Sequence, residues 1–265
     1  MPLVDVNAVR ILYELSGPDK GPVLAFSNSL GADLSMWNPQ AQLLRQHFRI
    51  LRYDMRGQGQ SSVIPGESTI ETFGRDFLVL LGVLGIDHVT FCGLSMGGMI
   101  GMWLGVNAHQ RLRALVLCNT ASRIGTEDSW NTRIQAVRHG GMKAVSAAVI
   151  ERWFTPEFRA ASPELVDRAR QMLEASPVQG YAACCSAIRD MDQTGCLNQI
   201  RVPTLVISGM KDAVTSPQEG RFLAEHIAGS QYVELSAAHL SNVEQAAEFT
   251  AALCSFAIGR GQSHG

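Results

Sequence analysis

No apolar run in this 265-residue chain reaches the length of a membrane span. No lysine- or arginine-rich block occurs, and the net charge is only −2. That balance argues against nucleic acid or an anionic membrane surface as the main partner. The six cysteines, Cys92, Cys118, Cys184, Cys185, Cys196 and Cys254, contain no C-x-x-C pair. They offer no metal-site spacing and read as small buried residues of a reducing cytosol. The opening "MPLVDVNAVRILYELSG" lacks the basic start and unbroken apolar core of a signal peptide. With 46% apolar and 17% charged residues, the expectation is a compact cytoplasmic globule. No cofactor or metal is called for, and a homo-oligomer is left open.

What is present is alternation. "VNAVRILYELSG" (6–17) reads as paired edge strands joined by a tight turn. "PVLAFSNSLG", "FRILRYD", "HVTFCGLS", "LRALVLCNTA", "VPTLVISGMKD" and "QYVELSAAH" read as further strands. Helical patterns separate them: 68–86, 96–109, 217–229, and one closing helix over 242–259. This order predicts an α/β fold, a mostly parallel central sheet flanked by helices. Residues 122–200 have no strand pattern and read as a helical cap inserted after the sixth strand, with 1–121 and 201–265 forming the core. The tail "GRGQSHG" is expected to fray.

"CGLSMGG" sits between a strand pattern and a helical one. G-x-S-x-G alone is a weak signal. In this context Ser95 stands at a tight strand-to-helix corner, above the carboxyl ends of the strands, where open α/β sheets bind ligands. The next N–H, of Met96, opens a helix and brings its positive end beside the hydroxyl. A serine needs a base, and the base an orienting acid, in the chain order serine, acid, histidine. Asp212 follows a late strand and fits the acid; Asp190 and Asp192, in the insertion, fit less well. The strand after the serine ends in Asn119, which cannot serve as an acid. His239 follows the last strand and fits the base. A second oxyanion donor is expected from "SNSLGADLSMW", with the Leu30 N–H the best candidate and Asn28 shaping the turn. "YDMRGQGQSS" offers either a metal or phosphate site or a loop that Asp54 and Arg56 brace by ion pairing and hydrogen bonds. We adopt the brace.

These motifs, in this order, resemble the α/β-hydrolase superfamily over nearly the whole chain. In detail "SNSLGADLSMW", "YDMRGQGQSSV", "CGLSMGGMIGMWL" and "NTASRIGTEDSWNTRI" resemble the 3-oxoadipate enol-lactonases. Asn28-Ser29 departs from the His-Gly of many superfamily members but agrees with that subgroup. The resemblance implies a serine hydrolase that opens β-ketoadipate enol-lactone, a small anionic lactone, through an acyl-enzyme. A buried carboxylate needs a cation, and arginine binds it with two donors. "SWNTRI" puts Trp130 and Arg133 three residues apart on one helix face. Trp130 and Trp153 would then wall the ring and Arg133 take the carboxylate, with Arg123, Arg138 and Arg152 as competitors. Another esterase, a carbon–carbon-bond hydrolase, a cofactor-free perhydrolase or a non-catalytic binding protein are the rival readings. Ser95 excludes chemistry that needs an aspartate at the elbow.

Overall fold

The computed structural model describes residues 1–261. The last four residues of the tail expected to fray lie outside the described residues. The strands are β1 (Leu3–Val6), β2 (Val9–Ser16), β3 (Val23–Ser27), β4 (Arg49–Tyr53), β5 (Val89–Leu94), β6 (Leu112–Cys118), β7 (Thr204–Gly209) and β8 (Gln231–Leu235). They form one sheet in the order β1-β2-β4-β3-β5-β6-β7-β8. β1 and β2 pair antiparallel, as do β2 and β4, and the remaining pairs are parallel. β3, β5 and β7 are buried along their whole length, as a sheet covered on both faces requires. The edge hairpin starts earlier than expected, at Leu3. Its two-residue turn has positive φ at both Asn7 (45°) and Ala8 (64°), the twist that joins antiparallel strands.

α1 (Asn38–Leu44), α2 (Ile70–Val83) and α3 (Met96–Asn107) alternate with the early strands. Five helices lie between β6 and β7: α4 (Glu127–Gly140), α5 (Lys143–Trp153), α6 (Pro156–Ala161), α7 (Pro163–Glu174) and α8 (Val178–Arg189). α4 begins at a reciprocal cap between Thr126 and Ser129, with Glu127 and Asp128 facing the helix's positive end. α8 is docked closely on the loop that follows β4. A Cβ on Gly180 would lie 1.9 Å from the Gly57 carbonyl oxygen, so only glycine permits this approach.

α9 (Pro217–His226), α10 (Ser241–Glu244) and α11 (Ala246–Gly261) complete the chain. The closing segment is therefore two helices, not one. The break is Gln245, at φ −125° and ψ 54°. No glycine or proline causes it. The side chains of Glu244 and Gln245 instead reach back to Ala238 N–H and the Ser236 carbonyl, which turns the chain there.

Candidate active site

Ser95 sits between β5 and α3 with φ 56° and ψ −113°, a conformation that side-chain-bearing residues seldom adopt. Neighbours fix it: Ser95 N–H donates to the Cys118 carbonyl at 2.9 Å, and Thr120 Oγ1 donates to the Ser95 carbonyl at 2.8 Å. The glycines answer a steric demand. A Cβ on Gly93 would lie 2.1 Å from the Gly97 carbonyl oxygen, and one on Gly97 would lie 2.3 Å from that of Ser27. The helix thus starts against the strand ends, with Ser95 at the corner.

Asp212 lies in the turn after β7 and His239 in the loop after β8; they are 5% and 2% exposed. His239 Nδ1–H donates to Asp212 Oδ2 at 2.8 Å, which leaves Nε2 as the basic nitrogen. Thr215 Oγ1 donates to the same carboxylate oxygen at 2.8 Å. The Val214 and Thr215 amides donate to Oδ1 at 2.8 and 3.1 Å. Burial alone would raise the Asp212 carboxyl, but His239 and these hydrogen bonds outweigh it and hold the carboxyl below its ordinary value. Asn119, which cannot be an acid, holds the acid: its Nδ2 donates to Asp212 Oδ2 at 2.9 Å and to the Ala238 carbonyl at 3.2 Å. Asp190 and Asp192 are half-exposed and engaged elsewhere, by Arg189 and by the Thr194 N–H.

The loop after β3 is tied on both sides of Leu30. Ser29 N–H points at the Met36 sulfur (3.4 Å) and Gly31 N–H donates to Gln58 Oε1 at 2.7 Å. Asn28 spans the loop: Nδ2 donates to the Tyr53 carbonyl, Oδ1 accepts from Trp37 Nε1, and its carbonyl accepts from Gly97 N–H, each at 3.0 Å. Gln58 is a positioning contact that sequence reasoning missed. Its partner is 27 residues away, beyond the reach of any local pattern.

Asp54 and Arg56 brace the loop after β4 as expected, each with its own partners. Arg56 makes a two-pronged pair with Asp76 of α2, at 2.5 and 2.6 Å. Asp54 accepts the Leu34 and Gln60 amides, at 2.7 and 2.8 Å. Burial pushes the Asp54 carboxyl up to about 6, against the lowering effect of those amides.

Ser95, His239 and Leu30 line one cavity of about 30 Å³. Ile124, Trp130, Val149, Trp153, Ile188 and Val214 supply its apolar wall, and Arg133 and Arg152 its cations. Trp130, Arg133 and Arg152 also line an adjoining outer cleft of about 480 Å³. Arg133 lies between the rings of Trp130 and Tyr181, 5.4 and 5.5 Å from their centroids. Its Nε is buried without a hydrogen-bond partner. Among the described residues, neither Arg133 nor Arg152 pairs with a carboxylate. The competitors separate: Arg123 pairs with Asp192, and Arg138 lines a different cleft. Burial, and then the charge of Arg133, lowers the pKa of Arg152.

A serine hydroxyl at a strained corner, an imidazole backed by a carboxylate, and the N–H that opens a helix are groups suited to acyl transfer. A family model described as the alpha/beta hydrolase fold matches residues 22–246. The chain is 40% identical over 236 residues to 3-oxoadipate enol-lactonase 1 of Acinetobacter baylyi, covering 89% of this chain and 88% of that protein. The crystal structure of the enol-lactonase from Burkholderia xenovorans superimposes with a TM-score of 0.96 at 42% identity, covering 97% and 100% of the two chains. A thermophilic esterase from Thermogutta terrifontis, solved with malate bound, superimposes at 0.93 with 29% identity and 98% coverage of each chain.

Proposed function

The chain belongs to the α/β-hydrolase fold family and, within it, to the 3-oxoadipate enol-lactonases, and from that premise we propose that it opens β-ketoadipate enol-lactone to 3-oxoadipate through an acyl-enzyme. His239 Nε2 takes the Ser95 proton as Oγ attacks the lactone carbonyl carbon. The Leu30 and Met96 N–H groups receive the developing oxyanion. The ring C–O bond then breaks, and the enolate that leaves takes the proton held by His239 on carbon to become a ketone, which returns His239 to its neutral form. His239 next draws a proton from water, whose oxygen attacks the acyl carbon. The Ser95–acyl bond breaks, the proton returns to Ser95 and 3-oxoadipate departs. An enolate is a better leaving group than an alkoxide, so protonating it matters less than in an amidase.

One observation carries the substrate assignment. The cavity that holds Ser95 and His239 also holds Arg133, an arginine with a buried, unpartnered Nε between two aromatic faces. An unpaired buried donor of this kind is costly unless a ligand meets it, and a carboxylate fits its fork. Trp130 and Trp153 wall the ring.

We take residues 122–200 as a cap over a core of 1–121 and 201–265. We place the enzyme in the cytoplasm, in the β-ketoadipate route of aromatic catabolism. The six free cysteines fit a reducing compartment. The test is turnover of freshly generated enol-lactone against a panel of neutral p-nitrophenyl esters. The lactone should exceed the best ester by about 100-fold or more in kcat/KM, because a site built to pair a polar group rejects ligands lacking it. Parity would reduce the protein to a general esterase.

A further inference from the structure

The loop that carries His239 belongs to no helix or strand, so its position comes from individual bonds. Both sequence neighbours of His239 are tied to the junction between α5 and α6. Leu240 N–H donates to the Trp153 carbonyl at 3.0 Å. Ala238 N–H donates to Glu244 Oε2 at 3.0 Å. The same oxygen accepts from Thr155 N–H at 3.3 Å, and Glu244 Oε1 accepts from the Thr155 hydroxyl. One half-buried carboxylate thus gathers three donors from two segments 83 or more residues apart in sequence, from 155 to 238. Trp153, one end of this junction, also walls the cavity above Ser95.

We infer that Glu244 is a positioning residue for the reaction: it sets the base, His239, in register with the cavity wall. It touches neither substrate nor reacting atoms. Its carboxylate fixes the peptide that precedes His239, while the Trp153 carbonyl fixes the one that follows. The ring that must reach Ser95 and the wall that must hold the substrate then move together. Misplacing a reacting group by about 1 Å can cost on the order of 100-fold in rate. This inference rests on Ser95 and His239 being nucleophile and base.

The experiment compares Glu244→Gln, Thr155→Val, Thr155→Ser and Ser95→Ala with the wild type, using p-nitrophenyl acetate and a fluorophosphonate label. Glu244→Gln keeps the size but turns a donor toward donors. It should lose about 10- to 100-fold in kcat with KM within about twofold, and label correspondingly slowly. The low-field proton signal of His239 Nδ1–H should shift or broaden while the melting temperature stays near wild type. Thr155→Val should lose kcat in the same direction, and Thr155→Ser, which keeps the hydroxyl, should not. Wild-type kcat in a folded Glu244→Gln, or a kcat loss with the His239 signal unmoved, would overturn the inference. Should Glu244→Gln fail to fold, Thr155→Val at wild-type kcat would overturn it equally. The ester and the label make the test independent of the lactone. An active Ser95→Ala would overturn the nucleophile reading and this inference with it, whereas an inactive Ser95→Ala beside a fully active Glu244→Gln counts against Glu244 alone.

Discussion

Asn119 Nδ2 donates to Asp212 Oδ2 at 2.9 Å, from the end of β6 to the turn after β7. The same amide nitrogen reaches the Ala238 carbonyl, and Asn119 Oδ1 accepts from Ser241 Oγ at 2.5 Å. One buried amide therefore links the acid to both flanks of the histidine loop. Asn119 holds a φ of 44° to do so, a conformation asparagine tolerates better than most residues. With its other lone pairs taken by Asn119, Val214 and Thr215, the carboxylate is oriented to accept from His239 Nδ1–H, where it would oppose the charge the ring gains on taking a proton.

Asp212→Asn should therefore lower kcat by several orders of magnitude, on the order of 10⁴-fold, with little loss of fold. Asn119→Ala should cost about 10-fold or more, because it removes one of the bonds that hold the carboxylate and leaves Ser241 Oγ unpaired. Asp190→Asn and Asp192→Asn should stay near wild type. Steady-state kcat for the four variants decides the assignment. A large loss at Asp190 or Asp192 with Asp212→Asn active would move the acid elsewhere.

Ser95→Ala should remove activity by about 10⁴-fold or more. Its melting temperature should change little, since alanine meets the same strain at φ 56° and no side-chain cap bond is lost. Covalent labelling by a fluorophosphonate should vanish in parallel. A variant that still opens the lactone at a tenth of the wild-type rate would disprove the elbow reading.

Asp54 supplies a pH signature in stability. Its folded carboxyl is pushed up to about 6 by burial, against 3.8 for the unperturbed group. Between about pH 4 and 6 the native state thus binds the proton more than the unfolded chain does. The contribution of Asp54 favours folding below that window and is lost as pH rises through it, by on the order of 2–3 kcal/mol. Asp54→Asn cannot titrate. The unfolding free energy of wild type minus that of Asp54→Asn should fall from pH 4 to 6 and stay flat above. Denaturant melts at several pH values, with a carboxyl NMR titration midpoint near 6, check this; a difference that rises with pH contradicts it.

The elbow was legible because its constraint is local. Glycines at 93 and 97 around Ser95, after a strand and before a helix, encode the corner within a handful of residues. The meeting of Asp212 and His239 could be anticipated because parallel strands deliver their following turns to one end of the sheet. Gln58, Asn119 and Glu244 were not legible. Their partners lie 27, 93 and 89 residues away, and only the folded sheet brings them together. The break at Gln245 was hidden for a related reason. "NVEQAAEFT" carries no helix-breaking residue, and long-range bonds from Glu244 and Gln245 override its helical pattern. The bracing role of Asp54 and Arg56 was legible, but the ion-pair partner of Arg56, Asp76, lies 20 residues away and only the fold identifies it.

Arg133 and Arg152 offer the sharpest division of labour. Both line the cavity and the outer cleft, but they differ in setting. Arg133 has a buried Nε without a partner and is held between two rings, which pre-orients its fork. Arg152 is half-buried, and burial together with the nearby charge of Arg133 works against its proton. Removing Arg152 therefore removes a like charge from beside Arg133. Arg133→Met should raise KM for the anionic lactone by about 30-fold or more, the cost of leaving a desolvated carboxylate unmatched. It should leave KM for a neutral ester within about twofold. Arg133→Lys should rescue the lactone poorly, because an ammonium cannot supply the planar fork. Arg152→Met should change the lactone KM less than Arg133→Met does. Equal effects of Arg133→Met on lactone and neutral ester, or no effect on either, would remove Arg133 from the substrate site. A larger effect at Arg152 than at Arg133 would transfer the carboxylate to Arg152.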